Sequence, residues 1–138
     1  MVNDQNGKPR DLKERTRELA LRIIKLYGAL PRKAECVIIG RQILRSGTSV
    51  GANYREGLRP RSPSEYAAKL NAGLMELEET LYWLELLEGS EMASAPRLAP
   101  LKTEISELSA IFVTLIKKAR AQVEGSRSAT TEMASSGF

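Results

Sequence analysis

Leucine and isoleucine recur every three to four residues through most of this 138-residue chain. That spacing gathers them on one face of a helix and on neither face of a strand, so the repeat alone restricts the fold to packed helices. The densest run is Tyr66, Leu70, Leu74, Leu77, Leu81, Leu84 and Leu87, a heptad-like stripe of the kind that packs partner helices at a shallow angle. A start signal precedes it. Ser62 is placed as N-cap, Pro63 takes the first helical position, and Glu65 falls three after the serine as in a capping box. Gly89 is expected to close this third helix.

Three further stripes flank it. Helix one runs from Asp11 to Ala29, carries Leu12, Leu19, Ile23, Leu26 and Leu30, and stops at Pro31. Helix two runs from Arg32 to Glu56 on Cys36, Ile39, Ile43, Val50 and Tyr54, with Gly57 expected as a left-handed cap. Gly40 and Gly47 lie within it. Each costs about 1 kcal/mol relative to alanine in a helix interior, which implies close approach of a neighbouring backbone. Residues 89–100 read as a loop. Helix four follows from Leu101 to Val123, with Leu101, Ile105, Leu108, Phe112, Leu115 and Ala119 facing inward and Lys117, Lys118 and Arg120 in its last turns. The expected organisation is a flexible arm over 1–10, a bundle over 11–123 and a disordered tail over 124–138. The fold class is all-α, an up-down-up-down four-helix bundle. Ala67, Met75, Tyr82, Trp83, Leu86, Ile111 and Ile116 add apolar surface beyond one core. Surplus of that kind points to a homo-oligomer.

The residue inventory removes most chemistry. There is no histidine and a single cysteine, Cys36. A Ser-His-Asp triad, a Cys-His pair, a Cys/His zinc site and the Glu-x-x-His pairs of di-iron bundles are all excluded. No phosphate-binding glycine loop occurs. No catalytic residue, metal site or cofactor is expected, and the chain reads as a non-enzyme. Cys36 lies among Val37, Ile38 and Ile39 and reads as a small buried hydrophobe. One cysteine leaves no disulfide framework, and no signal-peptide pattern opens the chain. No run approaches the ~18 apolar residues of a membrane span. The expected compartment is the cytoplasm, without membrane contact.

Charge is distributed unevenly. Residues 8–61 hold 14 basic and 5 acidic side chains, whereas residues 62–92 hold one lysine and seven glutamates. On helix two, Arg41, Arg45, Thr48, Ala52, Arg55 and Arg59 follow helical spacing along one face, and Arg61 lies just beyond. Arg15, Arg22 and Lys25 form a second stripe on helix one. Arginines repeated at each helical turn suit a track of phosphates. The plainer reading is a solvated face, or pairing with Glu76, Glu78, Glu79, Glu85 and Glu88 of helix three. Tyr82 and Trp83 can stack on bases, but their place on the core helix favours packing. A polar line on helix two, Gln42, Ser46, Ser49, Asn53 and Glu56, runs beside small residues. It suits a close interface whose hydrogen bonds set register.

The run LRSGTSVGANYREG (residues 44–57), followed by RSPSEYAAKL and LEETLYWLELL, resembles a bacterial four-helix-bundle family. Its founding members are encoded by intervening sequences inside large-subunit ribosomal RNA genes, and it was once labelled a ribosomal protein family. The family pattern Ser-[Val/Ile]-[Gly/Pro]-Ala-Asn-x-x-Glu matches Ser49, Val50, Gly51, Ala52, Asn53 and Glu56, and Arg61-Ser62 matches the start of the third helix. The resemblance implies a homopentamer around a central channel. A related protein, the accessory variability determinant of diversity-generating retroelements, associates with a reverse transcriptase and binds nucleic acid through a basic surface. Arg45 matches a usual basic position of the pattern and Arg55 a variable one. No catalytic residue carries over.

Two readings stay open. In the first, an oligomer contacts RNA or DNA phosphates through Arg22, Lys25, Arg41, Arg45, Arg55, Arg59 and Arg61. In the second, the same arginines pair with helix-three glutamates, and the oligomer is an adaptor for a partner protein with no nucleic-acid affinity.

Overall fold

Asp11 starts the first helix by accepting a hydrogen bond from the Lys13 amide at 3.0 Å, which satisfies one of the orphan donors of the first turn. The computed structural model describes residues 11–59 and 62–136, with side chains of the last helix described as far as Ser128. It contains α1 (Leu12–Ala29), α2 (Ala34–Gly57), α3 (Pro63–Gly89) and α4 (Ala95–Ser136), and no strand among the described residues. The expected arm over 1–10 lies outside the described residues, as does Arg61.

The start of α3 follows the capping-box reading. The Glu65 amide donates to Ser62 Oγ at 3.2 Å, and the same hydroxyl donates to the Glu65 carboxylate at 3.1 Å. Both expected glycine caps are corrected. Gly57 lies inside α2, and Leu58 caps that helix in a right-handed conformation. Gly57 is small because Tyr66 and Lys69 of α3 press on it. Gly89 lies inside α3, and the left-handed residue that turns the chain is Glu91, at φ 64°.

The largest correction concerns α4. It begins at Ala95 rather than Leu101, so the loop is short and Pro96 and Pro100 belong to the helix. Pro96 sits in the first turn, where a missing N–H costs nothing. Pro100 is exposed, so the Pro96 carbonyl it leaves unbonded is open to water. At its other end α4 runs to Ser136 instead of ending at Val123, which corrects the expected disordered tail from residue 124. No proline interrupts that stretch, so nothing in its backbone chemistry ends the helix at Val123, and residues 124–128 are exposed.

Cross-contacts show that each helix runs opposite to the one before it. Tyr27 faces Gly40 and Thr16 faces Gly51 across α1 and α2. Arg45 faces Glu76 and Lys69 faces Glu56 across α2 and α3. Lys102 faces Glu88 and Phe112 faces Gly73 across α3 and α4. All four helices contribute to one core, including Leu19, Ile23, Ile43, Val50, Leu77, Leu84, Ile105 and Phe112. Tyr54 and Phe112 meet inside it with ring centroids 5.9 Å apart. Cys36 is 1% exposed, as its apolar neighbours implied.

The glycines of α2 answer to side chains, not to the neighbouring backbone expected. A Cβ on Gly47 would lie 2.8 Å from Ile23 Cγ1, and one on Gly40 would lie 2.8 Å from Tyr27. The α3 stripe is also shifted. Gly73 and Thr80 are buried, whereas Tyr66, Leu74 and Leu81 are only half-buried at its edges. On α4, Ile116 belongs to the core and Leu115 to its margin. Met75 and Tyr82 face outward from α3, 61% and 53% exposed.

Candidate functional site

The basic residues that the sequence reading singled out on the first two helices divide into three groups by what surrounds them. Arg15 is the first. It shares the inward phase of Leu12 and Leu19 and is only 2% exposed. Its guanidinium donates to both oxygens of Glu104 and, at 3.0 Å, to Glu107. The Glu104 hydrogen bond lifts its pKa above the ordinary value, against the opposing effect of burial. Arg15 is therefore a strut between α1 and α4, not part of an outward basic stripe.

Arg45 is the second. It reaches across to α3 and pairs with Glu76 at 3.2 Å and with Glu79, while Gln42 accepts from its Nε at 3.5 Å. Glu79 also accepts from the Trp83 indole at 3.1 Å. One cation facing two carboxylates leaves this spot with a net negative charge, which disfavours a phosphate.

The third group comprises Arg22, Lys25, Arg41, Arg55 and Arg59. All five are exposed, and none of their side chains has an ion-pair or hydrogen-bond partner among the described residues. Arg41 and Arg55 lie on the outward ridge of α2, and Arg59 lies just past its end. Arg22 and Lys25 lie on α1 opposite the first turns of α4. There they line an open groove of about 340 Å³ together with Arg97, floored by Leu26 and Leu101. Arg97 escaped the sequence reading because Pro96 and Pro100 disguised the first turns of α4 as loop. A serine before proline, Ser94 ahead of Pro96, was the available helix-start signal.

The polar line of α2 does not form a single surface. Ser46 is buried and accepts from Thr80 Oγ1 of α3 at 2.7 Å. Ser49 and Asn53 bond to carbonyls of their own helix, Arg45 and Ser49 respectively. Glu56 accepts from Lys69 at 2.6 Å, and Gln42 accepts from Arg45. These contacts join α2 to α3 within one chain or stay within α2.

Comparison with known proteins agrees with this architecture. A profile of the 23S rRNA-intervening sequence protein family matches residues 10–114. The chain belongs to that family. It is also similar to a crystal structure of a protein of unknown function from the S23 ribosomal protein family of Bacteroides thetaiotaomicron. The two share 36% identity at a TM-score of 0.73, over 78% of this chain and 99% of that one. No curated protein matches. Among the described residues of this family member, no helix is long and apolar enough to cross a membrane.

Proposed function

We propose that this member of the 23S rRNA-intervening sequence protein family is a non-enzymatic, cytoplasmic homo-oligomer that binds nucleic acid through its unpartnered cations. The carrying observation is that Arg22, Lys25, Arg41, Arg55 and Arg59 remain solvent-exposed and unpaired, although α3 supplies glutamates that take Arg45. Exposed cations without counter-charges attract a polyanion, and contacts of this kind position a backbone with little sequence preference. Oligomerisation rests on the outward apolar residues of α3, Met75 and Tyr82, and the pentameric state on family likeness. Repetition around a symmetry axis would raise the local cation density without any new residue.

Fluorescence anisotropy against a labelled RNA hairpin and a DNA duplex at low salt, on protein of measured native mass, tests the reading. Binding of either probe supports it. Absence of binding even at low salt removes it. Met75→Glu is expected to shift the native mass towards the monomer.

The second reading is an adaptor oligomer for a partner protein, and one observation favours it. Arg45 pairs with α3 glutamates as that reading requires. Arg22→Glu combined with Lys25→Glu, and separately Arg45→Glu, distinguish the two. Loss of assembly fits the adaptor, whereas loss of nucleic-acid binding at unchanged mass fits the first reading.

A further inference from the structure

We propose that the groove between α1 and α4, not the arginine ridge of α2, is the seat of the nucleic-acid backbone, with Arg22, Lys25 and Arg97 clamping consecutive phosphates. The assignment rests on the nucleic-acid reading above and adds a place and a residue, Arg97, to it.

Convergence is the first argument. Arg22 and Lys25 stand one turn apart on α1, and Arg97 faces them from α4 across one open space of about 340 Å³. The ridge is diluted by comparison. Arg41 and Arg55 are separated by 14 residues, roughly 21 Å along the helix axis. Between them lies Arg45, which Glu76 and Glu79 already neutralise.

The surroundings are the second argument. No aspartate or glutamate is among the residues lining the groove, and its floor is apolar, made by Leu26 and Leu101. The nearby carboxylates of α4, Glu104 and Glu107, are turned towards Arg15. Cations over a low-dielectric floor focus their field into the cleft, so an anion gains more there than on a convex ridge. The third argument is shape. α1 touches α4 over a short stretch only, so the cations of the two helices border an open cleft rather than a closed seam. A strand's phosphates, shared by RNA and DNA, fit the opening. The groove offers cationic donors and no side-chain acceptor, a set that suits phosphate oxygens better than the mixed donor and acceptor edges of bases.

Two variants with matched loss of charge provide the test. One is Arg22→Gln/Lys25→Gln/Arg97→Gln, and the other is Arg41→Gln/Arg55→Gln/Arg59→Gln. Each removes three exposed cations, and urea unfolding checks that both keep the fold. Binding of the labelled RNA hairpin and the DNA duplex is measured over a range of salt. The groove variant is expected to lose about tenfold or more in affinity at moderate salt, with its log-log salt slope flattened by about 3. The ridge variant is expected to stay within about twofold of the native protein. Arg97→Gln alone should flatten the slope by about 1, which requires a site shared between helices. A ridge variant that fails while the groove variant binds normally overturns the groove and leaves the nucleic-acid reading intact. Equal losses in both variants mean a diffuse surface and also overturn it. A native protein that binds neither probe at low salt removes the reading itself.

Discussion

Along α2, helix α1 seats Thr16, Ile23 and Tyr27 over Gly51, Gly47 and Gly40; along α4, it is tied by Arg15 to Glu104 and Glu107 and otherwise touches its neighbour little. The first edge is dry and steric. Its glycines sacrifice helix propensity so that large side chains can approach, and dispersion across the close contact offsets the loss. The second edge is ionic and short. A buried pair of this kind contributes little net stability, because desolvation consumes most of the Coulombic gain. It does fix where the two helices stand. The contrast separates the edge that maintains the fold from the edge at which the proposed groove lies.

The sharpest way to break the contrast is at the strut. Glu104→Ala leaves Arg15 buried with only the half-exposed Glu107 to balance it, and should cost about 3 kcal/mol in urea unfolding. Arg15→Met with Glu104→Leu should recover most of that loss, because an apolar pair of similar volume needs no counter-charge. If the double variant were as unstable as Glu104→Ala, the strut would be a source of stability and not of position.

The glycine edge comes next. Ile23 is fully buried, so Gly47→Val has nowhere to push it and should destabilise the fold by roughly 1–3 kcal/mol. Gly28 on the same pair of helices is the control, since a Cβ there meets nothing within 4 Å. Gly28→Ala should therefore stabilise by about 0.5–1 kcal/mol through helix propensity alone. Opposite signs at the two glycines would sharpen the steric account of this edge, and equal signs would sink it. The smallest expected effect is at the groove. Arg22, Lys25 and Arg97 are exposed and unpaired, so the triple glutamine variant should unfold within about 0.5 kcal/mol of the native chain.

Much of the steric edge could be read before any coordinates. A helix that contains Gly40, Gly47 and Gly51 between apolar residues announces close neighbours, because each glycine is otherwise a loss. Asp11, Pro31 and the Ser62-Pro63-Glu65 start marked helix ends through local chemistry that tertiary packing does not override. The ionic edge was less legible. Arg15 lies three after Leu12 and four before Leu19, in phase with the core, but an arginine there reads as basic surface unless its partners, some 90 residues away, are known. Arg97 was hidden by prolines that the first turns of α4 tolerate. The outward turn of Tyr82 could not be told from packing, since a helix repeat shows which residues share a face but not where the neighbouring helices lie around it.

The most direct test is the affinity of the native protein for the labelled RNA hairpin, plotted as log binding constant against log salt. A steep negative line, with a slope of about −3 or beyond, is expected if at least three cations displace counterions from phosphates. A flat line, or no binding at the lowest salt, would contradict a phosphate-binding surface on α1 and leave an oligomeric adaptor.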